Sequence, residues 1–261
     1  MSGAAGLLRD AGLPDLDLGP VVAEQPDPLL FATVSGAHLY GFPSRDSDVD
    51  LRGVHLLPVP ALVGLREPEE TRSRMWERDA VEMDLVTHDL RKFVRLMLRR
   101  NGYVLEQLLS PLVVHTSDAH AELVALAPGV LTSHHAHHYR GFAGTQRRLF
   151  DKTGELKPLL YAFRVLLTGI HLMRTGEVQA HLPTLLELVP ASASVPGYLP
   201  ELIAAKAEAE HGGAEVDHAR VGADLDALLG ELESAQAGSG LPDAPSVHDA
   251  LDDFVVRVRV G

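Results

Sequence analysis

Two short apolar strands, joined by a turn-rich connection that ends on two carboxylates, constrain this chain more than any other feature. Leu29–Val34 (Leu-Leu-Phe-Ala-Thr-Val) stops at Ser35-Gly36, and residues 48–57 form a second run closed by Pro58; apolar runs bounded by turn residues read as buried strands. Side chains alternate along a strand, so Asp48 and Asp50 share one face, roughly 6 to 7 Å apart. Like charges this close raise one another's pKa unless a cation sits beside them. The pattern therefore predicts a divalent ion on Asp48 and Asp50.

The chain has no cysteine, which leaves oxygen and imidazole as ligands and favours Mg²⁺ or Mn²⁺ over a thiolate-bound metal. A formal charge of -13 argues against a generic nucleic-acid coat protein, which needs a positive face. No stretch approaches the roughly 18 to 20 apolar residues of a membrane span, and residues 1–10 lack the basic start and apolar core of a signal peptide. The expectation is a cytoplasmic protein with no membrane partner.

Along the chain, residues 1–28 are rich in Gly, Pro and Asp and read as a loosely ordered lead-in with one short helix at 4–12. Residues 81–87 (Val-Glu-Met-Asp-Leu-Val-Thr) alternate apolar and acidic side chains, which predicts a third, half-exposed strand. The segment 58–79 reads as a helical turn or hairpin around a short strand. From Thr87, placed as N-cap, the period becomes helical: Leu90, Phe93, Val94, Met97 and Leu98 form a stripe, and another helix follows Gly102. Beyond residue 120 only helical segments are expected, at 119–127, 134–150, 157–175, 198–209, 216–234 and 247–258, the last with an alternative strand over 255–260. Loops fall at Pro128-Gly129, Thr153-Gly154, Gly176, Pro190, Gly212-Gly213 and 238–245. The expected fold is α/β (α+β): a lead-in (1–28), a small mixed-sheet domain (29–118) and an α-helical domain (119–261) closing a cleft over it.

A third carboxylate on a neighbouring strand, Asp84 or its rival Glu82, would let two ions sit about 3.5 to 4 Å apart, the spacing of in-line phosphoryl-transfer sites. Gly36 has no β-carbon, so backbone N–H groups there can approach a triphosphate, and Gly41 permits a tight return into the Asp strand.

Gly36-Ala37, the spacing that follows and Ser47-Asp48-Val49-Asp50 together resemble the signature of the DNA polymerase β superfamily of nucleotidyltransferases. The longer pattern, with His38 to Gly41, Asp50-Leu51-Arg52-Gly53 and the stretch from Asp84 through Lys92-Phe93 and Asn101 to Glu106-Gln107-Leu108-Leu109, is similar to a bacterial group of predicted nucleotidyltransferases; the likeness covers residues 29–110. It implies transfer of a nucleoside monophosphate from an NTP such as ATP to an acceptor hydroxyl on an RNA end, a protein or a small molecule. It further implies that Gly36 binds phosphates, that Asp48 and Asp50 bind two Mg²⁺ (or Mn²⁺) ions, and that Asp84 completes the catalytic site. Ala37 stands where the family usually has Gly or Ser, so phosphate binding falls to backbone donors or to Ser35 and Ser47.

Arg52 serves equally as neutraliser of the carboxylates, phosphate ligand or structural ion-pair partner. Arg91, Lys92, Arg95, Arg99 and Arg100 read as a solvated face, with phosphate or RNA contact as the alternative. Tyr139, Arg140, Lys157, Tyr161 and Arg164 resemble positions where such enzymes receive nucleotide or acceptor. Four imidazoles at His134, His135, His137 and His138 raise a zinc reading with no partner ligand. Two other classes compete with the enzyme: a nucleotide-binding or antitoxin-like module without turnover, and a glycosyltransferase using Asp-x-Asp to hold Mn²⁺, which the upstream Gly36 turn disfavours.

Overall fold

The computed structural model describes residues 2–189, 195–208 and 216–261, so the turns expected at Pro190 and Gly212-Gly213 and the last residue of the helix expected at 198–209 lie outside the described residues. The chain divides into two compact units. The first comprises Met1–Leu39, Asp48–Val130 and Ala244–Gly261; the second comprises Tyr40–Ser47 and Leu131–Asp243.

The first unit opens with helices α1 (Ser2–Asp10) and α2 (Gly19–Ala23), then β1 (Leu29–Val34), a one-turn helix α3 (Gly36–Tyr40), β2 (Val49–His55), α4 (Val59–Val63), β3 (Thr71–Arg78) and β4 (Val81–Asp89). Helices α5 (Leu90–Leu98) and α6 (Gly102–Leu108), β5 (Val113–His115) and α7 (Asp118–Leu126) follow. The five strands lie in the order β3-β4-β2-β1-β5. β2 runs parallel to β4, and the other pairings are antiparallel. A mixed sheet with helices on the chain's later half is the fold class expected from sequence.

Local chemistry sets these boundaries. β4 carries the period-two burial of a strand packed on one side, and it ends where Asp89, not Thr87, caps α5 by accepting from the Arg91 N–H at 3.0 Å. Asn101 caps α6 in the same way through the Tyr103 N–H. β5, too short for a periodic signal, was not expected from the sequence, nor was α10 (Leu182–Leu188) in the second unit. The turn-rich connection 37–47 begins inside helix α3.

The second unit is helical in its described residues: α8 (His135–Thr153), α9 (Leu156–Thr175), α10, α11 (Leu199–Glu208) and α12 (His218–Ala237). α9 is its core, packed against α8, α10, α11 and α12. It is long and apolar enough to pass for a membrane span, yet 89% of the qualifying stretch is buried, as in the central helix of a bundle.

Both ends of the chain depart from the linear division 1–28, 29–118 and 119–261. Residues 1–28 belong to the first unit because Leu13, Leu18 and Val21 are buried and Asp27 pairs with Arg72. α13 (His248–Val260), helical throughout rather than a strand at its end, also belongs there. It buries Leu251 and Phe254 and sends Arg259 to both oxygens of Asp89, at 3.1 and 3.0 Å.

Asp89 is fully buried; besides capping α5 it accepts from the Leu57 N–H at 3.1 Å. Removing one partner of such a pair leaves an uncompensated buried charge. Asp89→Ala should therefore cost about 3–5 kcal/mol in urea unfolding. A loss below about 1 kcal/mol would mean that the pair does not hold α13 to the sheet.

Candidate functional site

The parallel pairing of β2 and β4 places Val49 opposite Met83 and Asp50 opposite Asp84. One step earlier Asp48 meets Glu82, so four carboxylates lie on one face in two facing pairs. Each pair meets its like-charge problem differently.

Between Asp50 and Asp84 stands Arg52, two residues on from Asp50 and therefore on the same face. Its Nη2 donates to Asp50 Oδ1 at 2.6 Å and to Asp84 Oδ2 at 2.8 Å. Nη1 donates to the Leu51 and Asp84 carbonyls, and Nε donates to the Tyr103 hydroxyl at 3.1 Å. Burial alone would lower the guanidinium's pKa, but Tyr103, Asp50 and Asp84 outweigh it and hold it above its ordinary value. Of the roles open for Arg52, its position in the fold is that of internal counter-charge. Tyr103 was not singled out in the sequence, where only its place near the start of α6 marked it.

Asp48 and Glu82 have no such cation between them. They share a hydrogen bond, and that bond together with the Asp48 charge raises the Glu82 carboxyl above its usual range. Facing carboxyls with no cation between them disfavour each other's charged form. Among the described residues no three carboxylate or imidazole groups close around one point as a ready metal cage; Arg52 occupies the middle of the Asp50–Asp84 pair.

The turn after β1 completes the site. Gly36 has φ +61°, and a β-carbon there would come 1.7 Å from Asp50 Oδ2. Only glycine lets the Asp50 carboxylate and this turn occupy neighbouring space. The Ser35 N–H donates to the Asp50 carbonyl at 2.8 Å. The Ser35 hydroxyl is buried with no hydrogen-bond partner among the described residues, and Ala37 is buried beside it in α3.

The structure thus brings Ser35, Gly36, Arg52, Asp50 and Asp84 together, with Asp48 beside Glu82. Ser47, Lys157 and Tyr161 belong to the second unit. Ser47 Oγ accepts from the Ser44 N–H and lies 2.9 Å from Ser44 Oγ. Ser44 Oγ in turn accepts from the fully buried Lys206 Nζ at 3.0 Å. Tyr161 packs edge-on against Tyr40 and Phe42, and the Arg164 guanidinium lies 3.8 Å over the Tyr40 ring. Gly41, at φ +83°, would drive a β-carbon to 2.5 Å from the His181 ring, which accounts for glycine at this return. The four clustered histidines do not converge: His135 bonds Thr132, His137 approaches Gln236 and His134 lies 3.9 Å from Asp243.

The sequence profile of the RNA repair pathway DNA polymerase beta family, RlaP, matches residues 15–257. The chain belongs to that family. That membership makes it a nucleotidyltransferase-like protein. It is 31% identical over 157 residues to the uncharacterized protein MJ0002 of Methanocaldococcus jannaschii, covering 58% of this chain and 63% of that one. It is 34% identical over 100 residues to the uncharacterized protein YcgL of Bacillus subtilis, covering 36% and 35%. The chain therefore spans less than two thirds of either relative. A crystal structure of a nucleotidyltransferase-like protein from Exiguobacterium sibiricum aligns over 89% of this chain and 75% of that one at 15% identity and a TM-score of 0.33, too weak a likeness to add to the topology above.

The upward shift of the Glu82 carboxyl has one expected consequence. Asp48→Asn removes the neighbouring charge, so the Glu82 carboxyl should titrate lower, back toward its ordinary range, in a ¹³C NMR pH series. Unchanged titration would assign the shift to something other than Asp48.

Proposed function

We propose that this chain transfers a nucleoside monophosphate from an NTP to the hydroxyl of an RNA end. The acceptor oxygen bonds to the α-phosphorus, the α–β bridging bond breaks and pyrophosphate leaves. The observation that carries this reading is the register of Asp50 with Asp84 across two parallel strands, with the Gly36 turn pressed against Asp50. The family's description favours RNA over the protein and small-molecule acceptors that the same chemistry accommodates.

The donor set fits hard divalent cations. It is all oxygen, the donor type such ions take, and the Glu82 carboxyl is raised above its usual range by its hydrogen bond with Asp48 and by the Asp48 charge. Asp48, Asp50 and Asp84 would hold two Mg²⁺ or Mn²⁺ ions, which when bound lower the acceptor hydroxyl's pKa and offset the charge of the leaving pyrophosphate. The protein's own part is placement. Arg52 fixes Asp50 and Asp84 through its two hydrogen bonds, the Gly36 turn offers backbone N–H groups to phosphate without a side chain in the way, and the buried Ser35 hydroxyl is a further donor beside it. Ser47, Lys157 and Tyr161 are the further nucleotide contacts that the family resemblance implies.

Transfer of label from α-³²P NTPs to an oligoribonucleotide, with Mg²⁺ or Mn²⁺, tests the reading. Asp50→Ala and Asp84→Ala should each lower the rate by about 10²–10³-fold, and Gly36→Ala by a comparable amount, while far-UV circular dichroism stays unchanged. A wild-type protein that binds NTP but transfers nothing would be the binding module instead; transfer undiminished in Asp50→Ala would overturn the site.

A further inference from the structure

The outermost strand, β3, has chemistry that neither the fold nor the carboxylate site requires. In a chain of net charge -13, its eight residues include three arginines, one glutamate and the protein's sole tryptophan. It lies at the end of the sheet, and Ser73, Arg74, Met75 and Glu77 are exposed.

The register divides these side chains between two faces. Arg72, Arg74, Trp76 and Arg78 stand opposite Thr87, Leu85, Met83 and Val81, while Met75 stands opposite Asp84 and Glu77 opposite Glu82. Met75 is 75% exposed and lies one strand spacing, about 4.8 Å, from the third carboxylate of the proposed site. On the other face, a cleft of about 330 Å³ is lined by Glu24, Glu69, Arg72, Ser73, Arg74 and Thr87. Arg72 and Arg78 are committed to Asp27 and Glu24. Arg74 has no carboxylate partner among the described residues; its guanidinium lies 4.5 Å over the Trp76 ring.

An exposed arginine braced on an indole, without a counter-charge, suits a phosphodiester backbone with an unpaired base alongside. We propose that the β3 edge is the docking track for single-stranded RNA. The backbone lies against Arg74, a base stacks at Trp76, and the strand crosses the edge at Met75 to present its terminus on the Asp84 face. This inference rests on the transfer reading for its choice of partner, but the binding it predicts is measured without turnover.

Because Trp76 is the only tryptophan, its fluorescence in the full-length protein reports this surface alone. Titration with a 3′-hydroxyl dodecaribonucleotide should quench it, in step with the anisotropy of an end-labelled copy. Arg74→Glu should weaken that binding about tenfold and reduce its salt dependence by about one phosphate contact. Arg74→Gln, which keeps the size without the charge, should fall between. Equal affinity of wild type and Arg74→Glu, RNA binding that leaves Trp76 unchanged, no RNA binding at all, or quenching by polyglutamate but not by RNA would each overturn the proposal. RNA bound at Trp76 with no label ever transferred would leave this surface standing and defeat the transfer reading. Transfer to RNA with a KM unmoved by Arg74→Glu would do the reverse.

Discussion

One guanidinium organises the centre of the first unit. Arg52 sits between Asp50 and Asp84 on neighbouring parallel strands, with 2.6 and 2.8 Å bonds to their carboxylates, and it also binds two strand carbonyls and a tyrosine of α6. Without positive charge there, two half-buried carboxylates in register would repel. The adjacent pair, Asp48 and Glu82, has no such guanidinium, and the Glu82 carboxyl is raised above its usual range by its hydrogen bond with Asp48 and by the Asp48 charge. The sheet thus contains two facing acidic pairs, and only one of them has an arginine at its centre.

This contrast bears on how an ion would meet the site. Nη2 of Arg52 already takes one oxygen of each of Asp50 and Asp84, so an ion there would share those carboxylates with it. At the neighbouring pair the Glu82 carboxyl is raised by Asp48, and a cation bound there would favour its ionised form.

Much of this was legible in the sequence, because period-two alternation and turn residues are local signals. β1, β2, β4 and the helical half follow from apolar spacing, and the shared face of Asp48 and Asp50 follows from strand geometry alone. The choice between Asp84 and Glu82 was not legible: both lie on one face, and only the register with β2 assigns Asp84 to Asp50 and Glu82 to Asp48. Register, Tyr103's bond to Arg52 and the return of Arg259 to Asp89 are long-range facts, and no local pattern encodes them. The three-residue strand β5 is too short to carry a period, and residues 1–28 look loose because the few apolar side chains that anchor them are scattered.

The segment between Gly36 and Asp48 has a divided allegiance. Tyr40–Ser47 belongs to the helical unit, where Ser44 receives a buried ammonium from Lys206, more than 150 residues further along the chain. A protein truncated after Val130 would keep every residue of the Gly36–Asp48–Asp50 signature and lose the partner that fixes the loop inside it. The helical half is therefore a scaffold for the motif's interior, and the minimal unit able to display this signature is longer than the stretch that spells it.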